Sequence, residues 1–227
     1  MNNNIAIRGQ SDLAVFIIDD DEALREALRC LLRSVGLEAR AFASTKEFLQ
    51  IKLPDAPFCL ILDVRLPGIS GIDFQTELHK MGFNFPIIFV TGYGDVPMAA
   101  RAMKAGAVDF LTKPFRDQDL LDAVRVALEN HYEQREKDKR LSKIKARFQT
   151  LTHREFEVLA MVSTGLINKQ IAGQLEISEI TVKVHRGNGM RKLGVSSMPQ
   201  FIRMADAVGI ERPVRLVNSH TSSRAQV

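Results

Sequence analysis

Four short segments lie far apart in this 227-residue chain: Asp19-Asp20, Asp63, Thr91 and Lys113-Pro114. Each closes an apolar run of strand length. Three carboxylates, a hydroxyl and an ammonium are the parts needed to hold a divalent metal and to place a phosphoryl group on an aspartate. Mg²⁺ takes hard oxygen ligands, keeping waters beside one or two carboxylates and a phosphate. Phosphoryl transfer then asks mainly for positioning and for charge to offset the phosphoryl oxygens. Taken singly the segments are bland. Asp19-Asp20-Asp21 can open a helix, Asp63 can precede the turn at Pro67-Gly68, and Lys113 can stand in solvent. Gathered together they differ, because packed carboxylates repel and lose hydration unless a metal or the Lys113 ammonium offsets them.

The elements that must gather them are legible as alternating patterns. Leu13–Ile18, Cys59–Leu62, Pro86–Val90 and the shorter Val108–Leu111 read as buried strands, with Glu38–Phe42 a weaker fifth. Helical spacing covers Asp21–Val35, where Ala23, Ala27, Leu28, Leu31 and Leu32 share a face, and recurs near 44–51, 71–80 and 96–105. Strands alternating with helices imply a parallel sheet covered on both faces. Five of them suggest a flavodoxin-like, doubly wound α/β fold with strand order 2-1-3-4-5, in which ligands bind beyond the carboxyl ends of the strands. Those ends are Asp19, Asp63, Thr91 and Thr112-Lys113.

From Asp117 a further helix presents Leu120, Leu121, Val124 and Leu128, then runs into a charged stretch, Glu133 to Arg140, without an apolar stripe. That stretch reads as a solvated helical linker. Leu141, Ile144 and Phe148 return at helical spacing, which leaves a coiled-coil dimer conceivable. Thr152-His153-Arg154-Glu155 is a capping box opening a new helix, with Phe156, Leu159 and Val162 on its apolar face and Gly165 at its end. Asn168–Leu175, a helix capped by Ser178 and ending at Leu193, and Ser197–Val208 complete an all-α second half. The tail beyond Glu211 is polar and is expected to be disordered.

Composition agrees with two domains. Residues 1–130 carry 14 Lys/Arg and 18 Asp/Glu, whereas residues 131–227 carry 17 and 9. An acidic front and a basic back fit a metal-binding part joined to a nucleic-acid-binding part. Cys30 and Cys59 have no metal-ligand spacing, no run approaches a membrane span, and Met1-Asn2-Asn3-Asn4 does not open a signal peptide. A reduced, cytoplasmic protein is expected. A phosphatase using Asp63 as nucleophile would want an acid two residues on, and Arg65 stands there, so a dedicated hydrolase is disfavoured.

Asp19-Asp20, Asp63-Val64-Arg65-Leu66-Pro67-Gly68-Ile69-Ser70-Gly71, Thr91-Gly92 and Lys113-Pro114-Phe115 resemble the receiver domain of two-component response regulators. The resemblance implies that Asp63 accepts phosphate from a sensor histidine kinase. It implies that Asp20, Asp63 and the backbone carbonyl of Arg65 bind Mg²⁺, with Asp19 acting through water. Thr91 and Lys113 would each bond a phosphoryl oxygen, and Phe110 would turn inward as Thr91 moves, reshaping a dimer face that includes Arg101 and Lys104. Residues 151–196 resemble the LuxR-type helix-turn-helix, through Leu151 to Glu155, Asn168-Lys169-Gln170-Ile171-Ala172 and Thr181-Val182-Lys183-Val184-His185-Arg186. The two together are similar to regulators of the FixJ/NarL type, whose members serve nitrogen fixation, nodulation and aromatic-compound catabolism.

That resemblance divides the chain into a receiver over 12–128, a charged helical linker over 129–148, a LuxR-type four-helix DNA-binding domain over 149–212 and a tail over 213–227. On the recognition helix Val182, His185, Gly189 and Leu193 share one stripe, expected to face the core, with His185 a satisfied core histidine. Lys183, Val184, Gly187 and Arg191 share the other, expected to face double-stranded promoter DNA, with Thr181 beside them. Lys183 suits guanine acceptors and Val184 a thymine methyl, while Lys169, Arg186 and Lys192 suit phosphates. Gly187 and Gly189 stand where relatives carry larger side chains. They predict a helix weakly ordered without DNA, and a higher melting point on Gly189→Ile. The implied function is a phosphorylation-dependent transcriptional activator that dimerises and works with RNA polymerase, performing no catalysis beyond its own phosphoryl transfer and dephosphorylation. The alternative is a constitutive DNA-binding protein with a vestigial receiver.

Overall fold

The computed structural model describes residues 14–210. Leu13, residues 211 and 212 of the expected second domain, and the expected tail lie outside the described residues. Two compact units divide the chain between Glu136 and Lys137.

The first unit is a five-stranded parallel sheet in the order β2-β1-β3-β4-β5. Its strands are β1 (Ala14–Ile18), β2 (Glu38–Phe42), β3 (Phe58–Asp63), β4 (Ile87–Thr91) and β5 (Asp109–Thr112). Between and after them come α1 (Glu22–Ser34), α2 (Thr45–Leu49), α3 (Gly71–Lys80), α4 (Val96–Lys104) and α5 (Asp117–Gln149). The continuous apolar runs are explained by burial: every residue of β3 and β4 is buried. Because successive strand residues point to opposite faces, the sheet has two distinct cores. One gathers Phe16, Phe42, Phe48, Phe58, Phe74 and Phe89, and the other packs Val15, Ile17, Cys59, Ile61, Ile88 and Val90 on Leu28, Leu32, Leu120 and Val124. Burial pushes the Cys59 thiol up, while Cys30 is exposed.

The register aligns the strand ends. Ile18 pairs with Leu62, Asp63 with Val90, and Thr91 with Thr112. One close approach is essential to this edge. A Cβ on Gly71, the first residue of α3, would lie 2.3 Å from the carbonyl oxygen of Asp63. The Gly71 N–H instead donates to Val64 O at 2.9 Å.

The expected linker is not solvated throughout. His131 is buried, edge-on to Phe58 with ring centroids 4.6 Å apart, and its Nδ1 lies 2.9 Å from Phe58 N. Arg135 pairs with Asp55. The longest exposed run of α5 is Lys137 to Arg140. Its apolar return at Ile144 and Phe148 serves the second unit's own core, where Phe148 meets Phe201 at 6.0 Å.

The second unit comprises the end of α5 with α6 (His153–Ser163), α7 (Asn168–Leu175), α8 (Glu179–Leu193) and α9 (Met198–Ala207). The capping box at Thr152 and Glu155 is present. Ser178 caps α8, accepting from Thr181 N–H, and the helix runs unbroken through both glycines to Gly194 in the left-handed region. Arg147 donates to Leu193 O at 3.2 Å, satisfying one carbonyl at that end.

Two expectations for α8 are corrected. His185 is half-buried rather than a core residue. Gly189 is indeed buried, but it does not leave a hole. A Cβ there would lie 2.8 Å from Leu159 Cδ1 and 3.3 Å from Leu159 Cγ, so α8 and α6 already touch.

Glu155 has a second task that the capping box does not reveal. It is 4% exposed, and Lys192 of α8 donates to its Oε2 at 2.6 Å. Burial opposes its ionisation, but the Lys192 ammonium and the Thr152 N–H outweigh burial and hold the carboxyl below its ordinary value. A depressed folded value means stability that is full above the ordinary glutamate range and is lost as pH falls through the lower folded value. Glu155→Gln should therefore melt below wild type at pH 7 by about 1 kcal/mol, the pair being weakened by the water around Lys192. That gap should close as pH falls below about 4. A gap that widens in acid would contradict the assignment. Among the described residues no helix is long and apolar enough to cross a membrane.

Candidate functional site

The four segments meet at the carboxyl edge of the sheet. Asp19, just past β1, is fully buried. Its Oδ1 accepts from the Asp21 N–H at 2.9 Å and its Oδ2 from Lys113 Nζ at 2.7 Å, while its main-chain carbonyl accepts from Arg25 at 2.8 Å. Asp63, the last residue of β3, accepts from the Arg65 N–H at 3.2 Å and faces Lys113 Nζ at 3.4 Å. Asp20 is exposed, and oxygens of Asp19, Asp20 and Asp63 lie within 4.8 Å of one another.

Lys113 binds this edge together. Its N–H donates to Thr91 O at 2.7 Å, and its ammonium spans Asp19 and Asp63. The peptide bond from Lys113 to Pro114 is cis. Burial holds the Asp63 carboxyl above its ordinary value. Lys113 and the Arg65 N–H act against that shift, and the Asp19 charge adds to it. Three carboxylates thus face one ammonium. An all-oxygen cluster with that excess of negative charge fits a hard divalent cation such as Mg²⁺.

Thr91 is buried, and its Oγ1 accepts only a 3.3 Å bond from the Tyr93 N–H among the described hydrogen bonds. Phe110 is half-buried, with its ring 6.3 Å from that of Phe89. Gly94 lies against it: a Cβ there would fall 2.9 Å from Phe110 Cε1, 2.8 Å from Thr112 Cγ2 and 3.2 Å from Thr91 Cγ2. The Arg65 guanidinium lies 4.3 Å from the centre of the Tyr93 ring, and the Arg65 backbone bridges to Ser70. Arg25 and Gly94 were not in the expected site. Nothing in their spacing marks them, because each acts through a neighbour brought close only by the fold.

On α8 the expected outward stripe is outward. Lys183, Val184, Gly187 and Arg191 are exposed, and Arg191 donates to Asn188 at 2.7 Å. Arg186 is half-buried, Thr181 has its hydroxyl 2.8 Å from that of Ser178, and Lys169 is exposed on α7. Lys192 departs from expectation. Its ammonium is drawn back onto the buried Glu155, which a carboxylate without water requires. Ile180, absent from the expected set, is 74% exposed and lies on the same stripe.

Comparison with known proteins places both halves. Residues 15–125 match the response regulator receiver domain, and residues 149–205 match the luxR family of bacterial regulatory proteins. The chain is 53% identical to nodulation protein W of Bradyrhizobium diazoefficiens over 196 residues, covering 86% of each. It is 41% identical to the transcriptional regulatory protein FixJ of Rhizobium meliloti, covering 88% of this chain and 98% of that one. The solved structure of response regulator StyR superposes with a TM-score of 0.79 at 45% identity, over 86% of this chain and 99% of that one.

Proposed function

The chain belongs to the response regulators that join a receiver domain to a LuxR-type DNA-binding domain, and from that membership we propose that phosphorylation of Asp63 by a sensor histidine kinase controls its binding to promoter DNA. The observation that carries this reading is the gathering of Asp63, Thr91 and Lys113 with two further carboxylates at one sheet edge.

An Asp63 oxygen forms the new O–P bond as the N–P bond to the kinase's histidine breaks, and the electron pair stays on the imidazole nitrogen. Lys113, shared between Asp19 and Asp63, can follow the charge onto a phosphoryl oxygen. Thr91 has a hydroxyl proton to donate to another. Asp20, Asp63 and the Arg65 carbonyl would hold Mg²⁺, with Asp19 acting through water. The ion supplies positive charge that offsets both the carboxylates and the incoming phosphoryl oxygens.

Movement of Thr91 would draw Phe110 inward, and the β4–α4 loop at Gly94 touches both. The surface altered includes Arg101 and Lys104 of α4, and it would favour a homodimer. Two tethered output domains then bind paired half-sites at high effective concentration. Lys183, Val184 and Arg191 would meet base edges, with Gly187 and Thr181 beside them, while Lys169 and Arg186 would meet phosphates. The bound dimer would act as an activator through RNA polymerase. The protein turns over nothing but its own phosphoryl group.

Intact-mass measurement after treatment with acetyl phosphate and Mg²⁺ tests this reading. Wild type should gain one phosphoryl group and bind DNA more tightly, and Asp63→Asn should do neither. An adduct on Asp63→Asn, or none on wild type together with no beryllofluoride complex, would remove Asp63 as acceptor. Equal DNA affinity of both proteins under all conditions would make the chain a constitutive DNA binder.

A further inference from the structure

The second unit exposes three large apolar side chains among the described residues: Ile167 at 62%, Ile180 at 74% and Val184 at 53%. All three lie on the helix-turn-helix, and two lie on the first half of α8. At 100° per residue, Ile180, Lys183, Val184, Gly187 and Arg191 form one stripe along α8, with Ile180 and Gly187 at its centre. The opposite stripe, Val182, Gly189 and Leu193, is buried. Ile180 is therefore not a stray core residue at a frayed end. Ser178 fixes that end of the helix through the Thr181 N–H at 3.0 Å.

We propose that Ile180 reads DNA sequence, packing with Val184 against thymine C5 methyl groups on the floor of the major groove. This rests on the DNA-binding reading above and adds a base-reading residue to it. A recognition helix presents its N-terminal half to base edges. The thymine methyl is the one apolar group that the major groove offers there. Gly187, one turn beyond Lys183, has nothing within 4 Å of the place its Cβ would take. The helix centre can therefore approach the groove closely enough for aliphatic contact. The flanking charges select the occupant. Lys183 and Arg191 border the apolar pair, which favours a polyanion and disfavours a second copy of the same stripe across a two-fold axis. An Ile is stiff at χ1 and has no donor or acceptor. At its position it excludes bases that need a polar partner and rewards a methyl group.

The test uses the full chain treated with phosphodonor. A preferred duplex is first selected from a random pool. Each thymine is then replaced in turn by uracil, which pairs identically and lacks only the methyl. At one or more positions wild type should lose about fourfold in affinity, the worth of one buried methyl. Ile180→Ala should bind the thymine duplex about fourfold more weakly and, at one or more of those positions, show no further loss with uracil, while any position read by Val184 keeps its penalty. Ile180→Val should keep most of the discrimination. Because Ile180 is exposed and Ala is the better helix former, the variant should fold as wild type does. Equal binding of thymine and uracil duplexes by wild type, or a uracil penalty undiminished at every position in Ile180→Ala, would overturn the inference while leaving DNA binding intact. A chain that selects no sequence at all would overturn both readings together.

Discussion

Gly71→Ala should lower the stability of the receiver by about 3 kcal/mol or more, at or beyond the upper end of the usual cost of overpacking. On a domain of this size that is a fall in melting midpoint on the order of 10 °C. The new Cβ would lie 2.3 Å from Asp63 O, 3.1 Å from Val64 Cα and 3.2 Å from Asp63 C. None of these can rotate away, because all are main-chain atoms at the end of β3. That strand is hydrogen-bonded on both sides, to β1 and β4. The gain in helix propensity on replacing Gly, about 1 kcal/mol in a helix interior and less at a first position, cannot offset this. The strand end that would have to yield carries Asp63, so the variant should also take up phosphoryl groups poorly. Calorimetry of the full chain reads the first effect. A midpoint within a degree or two of wild type would mean that α3 does not approach β3 as described.

Gly189→Ile should destabilise the output domain by about 1–3 kcal/mol, reversing the expectation drawn from the helical stripe alone. The stripe correctly places Gly189 inward. It says nothing about how near the next helix lies, and Leu159 of α6, itself fully buried, already occupies the space. Propensity favours Ile over Gly by roughly half a kcal/mol, which is too little to win. Gly189→Ala makes the comparison sharp, since its single Cβ presses closely only on the Leu159 side chain, 2.8 Å from Cδ1 and 3.3 Å from Cγ, with Glu155 Cβ at an ordinary 3.5 Å, and gains the full propensity term. It should melt close to wild type and well above Gly189→Ile. Amide exchange across 181–192 follows the same order, because the protection of α8 depends on its seat against α6. If Gly189→Ile melts higher than wild type, the helices are farther apart than the contact with Leu159 requires.

Both variants mark where spacing stops being informative. The receiver was legible because strands buried on both faces leave unbroken apolar runs, and because parallel strands bring their carboxyl ends to one edge. Asp19, Asp63, Thr91 and Lys113 could thus be grouped before any distance was known. What stayed hidden depends on partners distant in sequence. Lys192 looks like a free surface cation until Glu155, 37 residues earlier, is found beneath it. His131 sits in a charged stretch, and only the start of β3, 73 residues away, explains its burial. Ile180 is the exception, because helical spacing alone puts it on the stripe of Lys183 and Val184, and its 74% exposure agrees.

The contact between Arg65 and Tyr93 has a practical consequence. The chain contains no tryptophan and only two tyrosines, against 13 phenylalanines packed mostly out of reach of water. Its tyrosine fluorescence therefore comes from Tyr93 and Tyr132 alone, with no tryptophan to mask it. Tyr132 is a half-exposed residue on α5, whereas the Tyr93 ring lies under the guanidinium of the residue whose N–H holds Asp63. Any rearrangement at that aspartate changes the surroundings of one of two chromophores, so the unmodified protein carries a built-in optical gauge of its own switching pocket.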